Sequence, residues 1–189
     1  WGSWGNQGTE VACKTLLSGG KLLVNKKTFY AHMFRTQGGD FSFPYTMSEK
    51  DVEKARQHSR NLFLNNKWEQ QVYPLSYIIE KFSPPTWDLE KLKQEELKCE
   101  RSGIYSIKSL TNGRVYIGSA INIANRIYEH IRKLRQQDHR NIHLQNTWNK
   151  YGEKDLVFNI LYFCGIEDLI KNEQRFIDEY KDKLGWDMM

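Results

Sequence analysis

The run Ser102 to Gly118, SGIYSIKSLTNGRVYIG, constrains this chain more than any other. Two short stretches rich in β-branched and aromatic residues, Gly103 to Lys108 and Arg114 to Gly118, flank Asn112-Gly113. That dipeptide suits a two-residue hairpin turn, because both central residues take positive φ. An antiparallel hairpin is predicted, with Leu110 opposite Val115, Lys108 opposite Ile117 and Ile107 opposite Gly118. Successive strand residues alternate between faces, so Ile104, Leu110, Val115 and Ile117 fall on one side. Tyr105 and Tyr116 fall together on the other, two phenols on one surface with Gly118 leaving room beside them.

A chain of 189 residues has room for one ordinary domain or two small ones. The net charge of +5 and pI near 9.0 permit a polyanionic partner. Distribution says more than the sum. Residues 101–154 hold ten Lys/Arg and three Asp/Glu, a net of +7, whereas residues 155–189 hold four and eight, a net of −4. Positive charge therefore gathers around the hairpin and just after it. Three cysteines, Cys13, Cys99 and Cys164, are odd in number and follow no CxxC spacing. Neither a disulfide framework nor a zinc site is indicated, and a reducing, intracellular setting is expected. No apolar run is long enough for a membrane-spanning helix and no signal peptide is evident. The chain opens at Trp1 within what reads as a motif, so its start is expected to be missing.

Taken in order, Thr9 can cap a helix from Glu10 to Leu17 that Ser18-Gly19-Gly20 stops. Lys21 to Val24 and Thr28 to Met33 then read as short strands. WGNQG lacks the strand context of a dinucleotide site. The order WGxxGxE, helix, GG, apolar strand and AHMFR resembles the C-terminal part of the catalytic domain in family 2-like, A-type-fold glycosyltransferases. That resemblance implies that His32 matches a ligand of the divalent metal on the sugar-nucleotide diphosphate, and that Glu10 lies near the acceptor position. One His without its partner ligands cannot hold an ion, so residues 1–83 read as an incomplete mixed α/β remnant and His32 as a vestigial metal position.

Ser48, with Asp51, can cap a helix through Leu64 whose inner face is Val52, Ala55, Ser59 and Leu62/Phe63. Residues 68–82 mix aromatic and β-branched types without assignable period. Ser83-Pro84-Pro85 interrupts the chain, and residues 84–100 read as a linker, half extended and half helical.

After the hairpin, Asn122 caps a helix with Ile123, Ile127, Ile131 and Leu134 on one stripe. Arg126 and His130, four residues apart, sit at the edge of that stripe, where packing and ordinary salt-bridge roles compete with functional ones. A second helix around Leu144 and Trp148 ends at Gly152, and Phe158, Ile160 and Tyr162 alternate in a third strand. The last helix, Glu167 to Lys183, shows an apolar stripe of Leu169, Ile170, Phe176, Ile177 and Tyr180 with Glu173 at its centre. A lone buried carboxylate must be paired, protonated or bound to a cation. Pairing with Arg126 or another base and metal binding are the two readings.

GIY at 103–105, YIG at 116–118, then Arg126, His130 and Glu173 in order resemble the GIY-YIG nuclease family over about residues 101–184. The resemblance implies an α/β (α+β) domain over 101–189, a three-stranded antiparallel-type sheet flanked by helices, and a homing-endonuclease type of activity in a bacterial, phage or organellar cytoplasm. It implies hydrolysis of phosphodiester bonds in double-stranded DNA with Glu173 holding Mg²⁺ or Mn²⁺. Arg126 would contact the phosphate. Tyr105 would assist or accept the proton of the attacking water, Tyr116 would orient the water or Tyr105, and His130 would help in proton transfer or phosphate contact. Lys133, Arg135, His139 and Arg140 would extend a basic DNA-binding surface. The family's further Asn after the Glu helix and its C-terminal DNA-recognition region have no counterpart before Met189, so weak cleavage and poor sequence specificity are expected. Two other readings compete: a glycosyltransferase fragment with an incidental nuclease, and a non-catalytic nucleic-acid-binding module.

Overall fold

The protein is described here by a computed structural model covering residues 7–29, 48–84 and 88–184. Four helices come first: α1 (Gln7–Leu17), α2 (Glu49–Leu64), α3 (Leu75–Phe82) and α4 (Leu89–Glu96). The Ser48 cap forms as the sequence predicts. Its Oγ accepts the Asp51 backbone N–H at 3.1 Å and donates to the Asp51 carboxylate at 2.6 Å. Leu17, Phe63, Leu75, Ile79 and Leu92 gather into one apolar cluster.

One N-terminal expectation changes. Lys21 to Val24 forms no strand, and Leu23 and Val24 are exposed, because no neighbouring strand pairs with them among the described residues. Of the second expected strand, residues 30–33 lie outside the described residues, and His32 with them. Within residues 84–100, expected as a half-extended, half-helical linker, the helical part is α4, which buries Leu92 and Glu96. The Glu96 carboxylate accepts the Ser76 N–H at 2.8 Å, capping the first turn of α3. Burial pushes its pKa up despite the bonds from Ser76.

The remainder builds the sheet: β1 (Gly103–Ser109), β2 (Val115–Ala120), α5 (Ile123–Arg135), α6 (Ile142–Tyr151), β3 (Leu156–Phe163) and α7 (Leu169–Leu184), with single 3-10 turns before β3 and α7. The strands lie in the order β2-β1-β3, antiparallel throughout. Helices α5 and α6 cover one face, over Tyr105, Ile107, Ile127, Leu134, Leu144 and Trp148. Helix α7 covers the other, over Ile104, Val115, Ile117, Leu169 and Phe176. Its stripe omits Ile170, which is 83% exposed. Among the described residues no helix is long and apolar enough to cross a membrane.

The hairpin register differs from expectation by two residues: Lys108 faces Val115, Ile107 faces Tyr116 and Tyr105 faces Gly118. An even step leaves every side chain on its predicted face, so Tyr105 and Tyr116 still share one. The turn is longer than two residues, and Gly113 alone takes positive φ, at 73°. The cause is Asp155, just before β3. Its buried carboxylate accepts the Thr111 N–H at 2.8 Å, the Thr111 hydroxyl at 2.6 Å and the Ser109 hydroxyl, and its carbonyl accepts the Leu110 N–H. These donors outweigh burial and hold its pKa low.

In β3 the predicted alternation breaks. Ile104 pairs with Tyr162 but Tyr105 with Ile160, leaving Leu161 as a bulge. One extra residue swaps faces, so Ile160 stays with Tyr105 while Tyr162 turns to the α7 side. Gly103 permits this: a Cβ there would collide with the Tyr162 carbonyl oxygen.

The N-terminal helices lie along the outer edge of β3. The Phe163 N–H donates to the Val72 carbonyl at 2.7 Å. The Arg101 guanidinium donates to the carbonyls of Asn66 at 3.1 Å and Gln71 at 2.8 Å and stacks 4.3 Å over the Phe163 ring. The opposite edge of the sheet is β2.

Candidate active site

The Tyr105 side chain enters from the middle of the sheet, wholly buried. It crosses Gly118, where a Cβ would lie 2.6 Å from its hydroxyl oxygen. Both glycines of the GIY and YIG triplets are thus steric necessities, while Ile104 and Ile117 anchor the opposite face. The Tyr105 and Tyr116 rings lie 6.3 Å apart. Sequence reasoning presents both phenols at the surface. Only Tyr116 is partly exposed, because α5 closes over Tyr105.

From α5, His130 Nε2 lies 2.7 Å from Tyr105 Oη and Arg126 Nε donates to the same oxygen at 3.4 Å. His130 Nδ1 lies 2.7 Å from His139 Nε2, and His139 Nδ1 accepts the Asn141 backbone N–H at 3.1 Å. The same His139 Nδ1 lies farther, 3.4 Å, from the Asn141 carbonyl, so the closer N–H contact selects the tautomers. A backbone N–H can only donate, so His139 carries its proton on Nε2 and donates to His130 Nδ1. His130 then carries its proton on Nε2 and donates to Tyr105. Burial first, then the charges of Arg126, His139 and Lys133, lower the His130 pKa to about 3, which keeps it neutral. The Tyr105 oxygen thus receives two N–H groups, which favour its ionised form. Burial, with Tyr116 beside it, acts more strongly in the other direction and raises the phenol pKa.

His139 is held by Gln145, a residue that carries no sequence signal of its role. Gln145 Oε1 accepts the His139 backbone N–H at 3.2 Å, and its amide donates to the Leu134 carbonyl and the Asn149 side chain. Asn141, by contrast, is legible as the cap of α6. The result is a cleft of about 120 Å³ lined by Tyr116, Arg126, His130, Lys133, His139 and Arg140. Arg135 does not line it. Its guanidinium is engaged by Glu153 at 2.6 and 3.1 Å.

Glu173 approaches from the other side of the sheet. It is half-buried, not enclosed, and accepts a hydrogen bond from the Ser119 hydroxyl on β2. The expected pairing with Arg126 is not formed, as Arg126 meets Glu129 at 3.4 Å, a weak exposed pair. Among the described residues Glu173 enters no ion pair. Gly118 and Ser119 are consecutive and face opposite ways, so the edge strand β2 is where phenols and carboxylate converge. Among the described residues no group of three or more His, Cys, Asp or Glu could hold a metal. A single carboxylate with an unshared oxygen fits a hard cation that keeps most of its waters, as Mg²⁺ does.

In the N-terminal segment Glu10 is buried, bound by Lys14 at 2.7 Å and by the Ser59 hydroxyl at 3.2 Å. Burial raises its pKa, but these donors prevail and lower it. It joins α1 to α2.

The chain is 35% identical over 79 residues to intron-associated endonuclease 1 of Enterobacteria phage T4, an overlap covering 42% of this chain and 29% of the phage protein. Two solved structures of the catalytic domain of the homing endonuclease I-TevI are 32% and 31% identical. They cover 44% and 47% of this chain and 88% and 98% of theirs, with TM-scores of 0.41 and 0.42. The family described as the GIY-YIG catalytic domain matches residues 101–185. With both glycines sterically required, both tyrosines on one face and Arg126 and His130 over them, residues 101–185 of this chain form a GIY-YIG catalytic domain.

Proposed function

We propose that the chain is a metal-dependent DNA endonuclease of homing type that hydrolyses phosphodiester bonds in double-stranded DNA. The observation that carries this reading is the Tyr105 oxygen held by His130 and Arg126 behind a cleft lined by Tyr116, Lys133 and Arg140. Arg126, partly exposed, is the group that meets a phosphate, since a guanidinium matches two phosphate oxygens at once. Tyr116, lining the cleft, orients the attacking water. Tyr105 takes the water's proton as its phenolate, the form that the His130 and Arg126 N–H groups stabilise and that burial opposes. Lys133 and Arg140 add attraction for the backbone. Arg135, paired with Glu153, contributes less, and His139 acts behind His130.

Glu173 is the residue that would hold Mg²⁺ or Mn²⁺, and the ion would supply charge stabilisation at the scissile phosphate when bound. For residues 1–83 the glycosyltransferase resemblance remains a proposed ancestry: Glu10 serves as a helix-to-helix anchor. An intracellular setting goes with a DNA substrate.

A plasmid-nicking assay with Mg²⁺ on wild type and Glu173→Ala tests the reading. Loss of at least about a hundredfold in the variant is expected. Equal activity would remove Glu173 from the site. Inactivity of the wild type under every divalent metal, with binding intact, would favour a non-catalytic module. Release of sugar from a sugar nucleotide by the chain would contradict the remnant reading of its first part.

A further inference from the structure

We propose that a second groove, between the hairpin turn and α6, holds the DNA backbone a few phosphates away from the scissile bond. The inference rests on the nuclease reading above and deepens it. The groove, about 420 Å³, is lined by Asn112, Arg114, His143, Asn146 and Lys150 among others, and no carboxylate lines it. Arg114 has no carboxylate partner among the described residues, unlike Arg126 and Arg135, each of which has a glutamate. The Lys150 ammonium lies 5.0 Å from the Tyr151 ring and is otherwise exposed. Guanidinium, ammonium and amide groups are the donors that position phosphates.

The groove continues the active-site cleft. Asn141, the cap of α6, lines the cleft. Beyond it His143, Asn146 and Lys150 recur among themselves at spacings of three and four, one face of the helix. On the strand side Arg114 and Tyr116 are two residues apart and share a face. Both openings therefore lie on the α6 side of the β2 edge. Asn141 to Lys150 spans roughly 13 Å at about 1.5 Å per residue. A DNA strand carries one charge per about 3.4 Å of axis, so the groove reaches about four phosphates to one side of the reacting one. Its contacts are to the backbone and carry no sequence preference.

The test uses the full chain with Arg114→Gln and Lys150→Gln together. The comparisons are wild type and a charge-matched control, Lys171→Gln with Lys181→Gln, on α7 beyond the other face of the sheet. Affinity for a fluorescein-labelled duplex is measured by anisotropy between about 50 and 200 mM salt. Two lost phosphate contacts make the salt slope shallower by about 1.8, so the affinity gap to wild type narrows by about tenfold over that range. The thermal midpoint stays at the wild-type value. Equal slopes in the groove variant and wild type would overturn the inference, as would the same change in the control, which would make net charge the cause. A wild type that nicks DNA while the groove variant keeps its slope sinks this inference alone, whereas a wild type without any duplex affinity sinks the nuclease reading as well.

Discussion

Tyr105 Oη and His130 Nε2 lie 2.7 Å apart inside the protein, and the backbone N–H of Asn141 decides which of them donates. His139 is the link. Replacing it with Ala frees His130 Nδ1 to hold the proton, so His130 Nε2 becomes an acceptor for the Tyr105 hydroxyl. In His139→Ala the ¹⁵N shifts of His130 should move toward the Nδ1–H tautomer, and nicking should fall about ten- to a hundredfold, below the full worth of a general acid–base group. His139→Asn, which keeps a side-chain N–H, should recover part of both. Unchanged ¹⁵N shifts in the Ala variant would show that His139 does not set the tautomer.

Gly118 is a requirement of the site more than of the fold. A Cβ added there would meet Tyr105 at 2.6 Å from Oη and 2.8 Å from Cζ, and Tyr116 at 3.0 Å. The backbone can tolerate alanine, so the phenols must move. Gly118→Ala should cost about 1–3 kcal/mol, the usual range for overpacking, yet lower nicking by at least about a hundredfold, because small misplacements of a catalytic group are that expensive. Denaturant unfolding and nicking on the same preparation separate the two effects. Near wild-type nicking would mean that the Tyr105 position is not critical.

The strand alternation that places Tyr105 and Tyr116 on one face is local, and the sequence shows it. So does the Asn122 cap that sets Arg126 and His130 on α5. The turn is not legible in the same way, because its geometry is imposed by Asp155, 44 residues from Thr111. Asn112-Gly113 alone describes the preference of an isolated hairpin. The Leu161 bulge is equally invisible, since it depends on where β3 docks against Gly103. How α4 docks is not legible because its charged residues mask the inward Leu89 and Leu92, and because the burial of Glu96 follows from its cap on α3. The stripe of α7 turns Glu173 toward β2, where it meets Ser119. The half-exposure of Glu173 follows from the end of β2, which no periodicity in α7 reveals.

Stability should depend on pH through His130. Folded, its pKa is lowered to about 3. Unfolded, it titrates near about 6.5. Between those values the unfolded chain binds the extra proton, so stability is complete above about 6.5 and declines as pH falls toward about 3. One such group gives a slope approaching about 1.4 kcal/mol per pH unit. The urea midpoint should drop between about pH 7 and pH 5, and His130→Gln should show a flatter dependence in that window. A midpoint that holds steady in wild type, or falls as steeply in His130→Gln, would mean that other groups govern the acid side.

Arg101 joins the N-terminal helices to the catalytic domain and should be worth more than a surface arginine. Its half-buried guanidinium serves the carbonyls of Asn66 and Gln71, and it lies over the Phe163 ring at the end of β3. Hydrogen bonds from a charged donor contribute about 1.5–3 kcal/mol each, less when removal lets water in. Arg101→Ala should therefore lose about 2–4 kcal/mol in chemical denaturation. Arg101→Lys should recover less than half of that, because an ammonium cannot bridge the two carbonyls and stack at once. The contact lies at the β3 edge, across the sheet from the β2 edge where Tyr105, Tyr116 and Glu173 converge, so nicking by the folded variant at low temperature should stay within about threefold of wild type. A denaturation curve unchanged by Arg101→Ala would show that the N-terminal helices unfold independently of the nuclease domain. A variant that is stable but catalytically dead would place Arg101 in communication with a site that the described contacts do not reach.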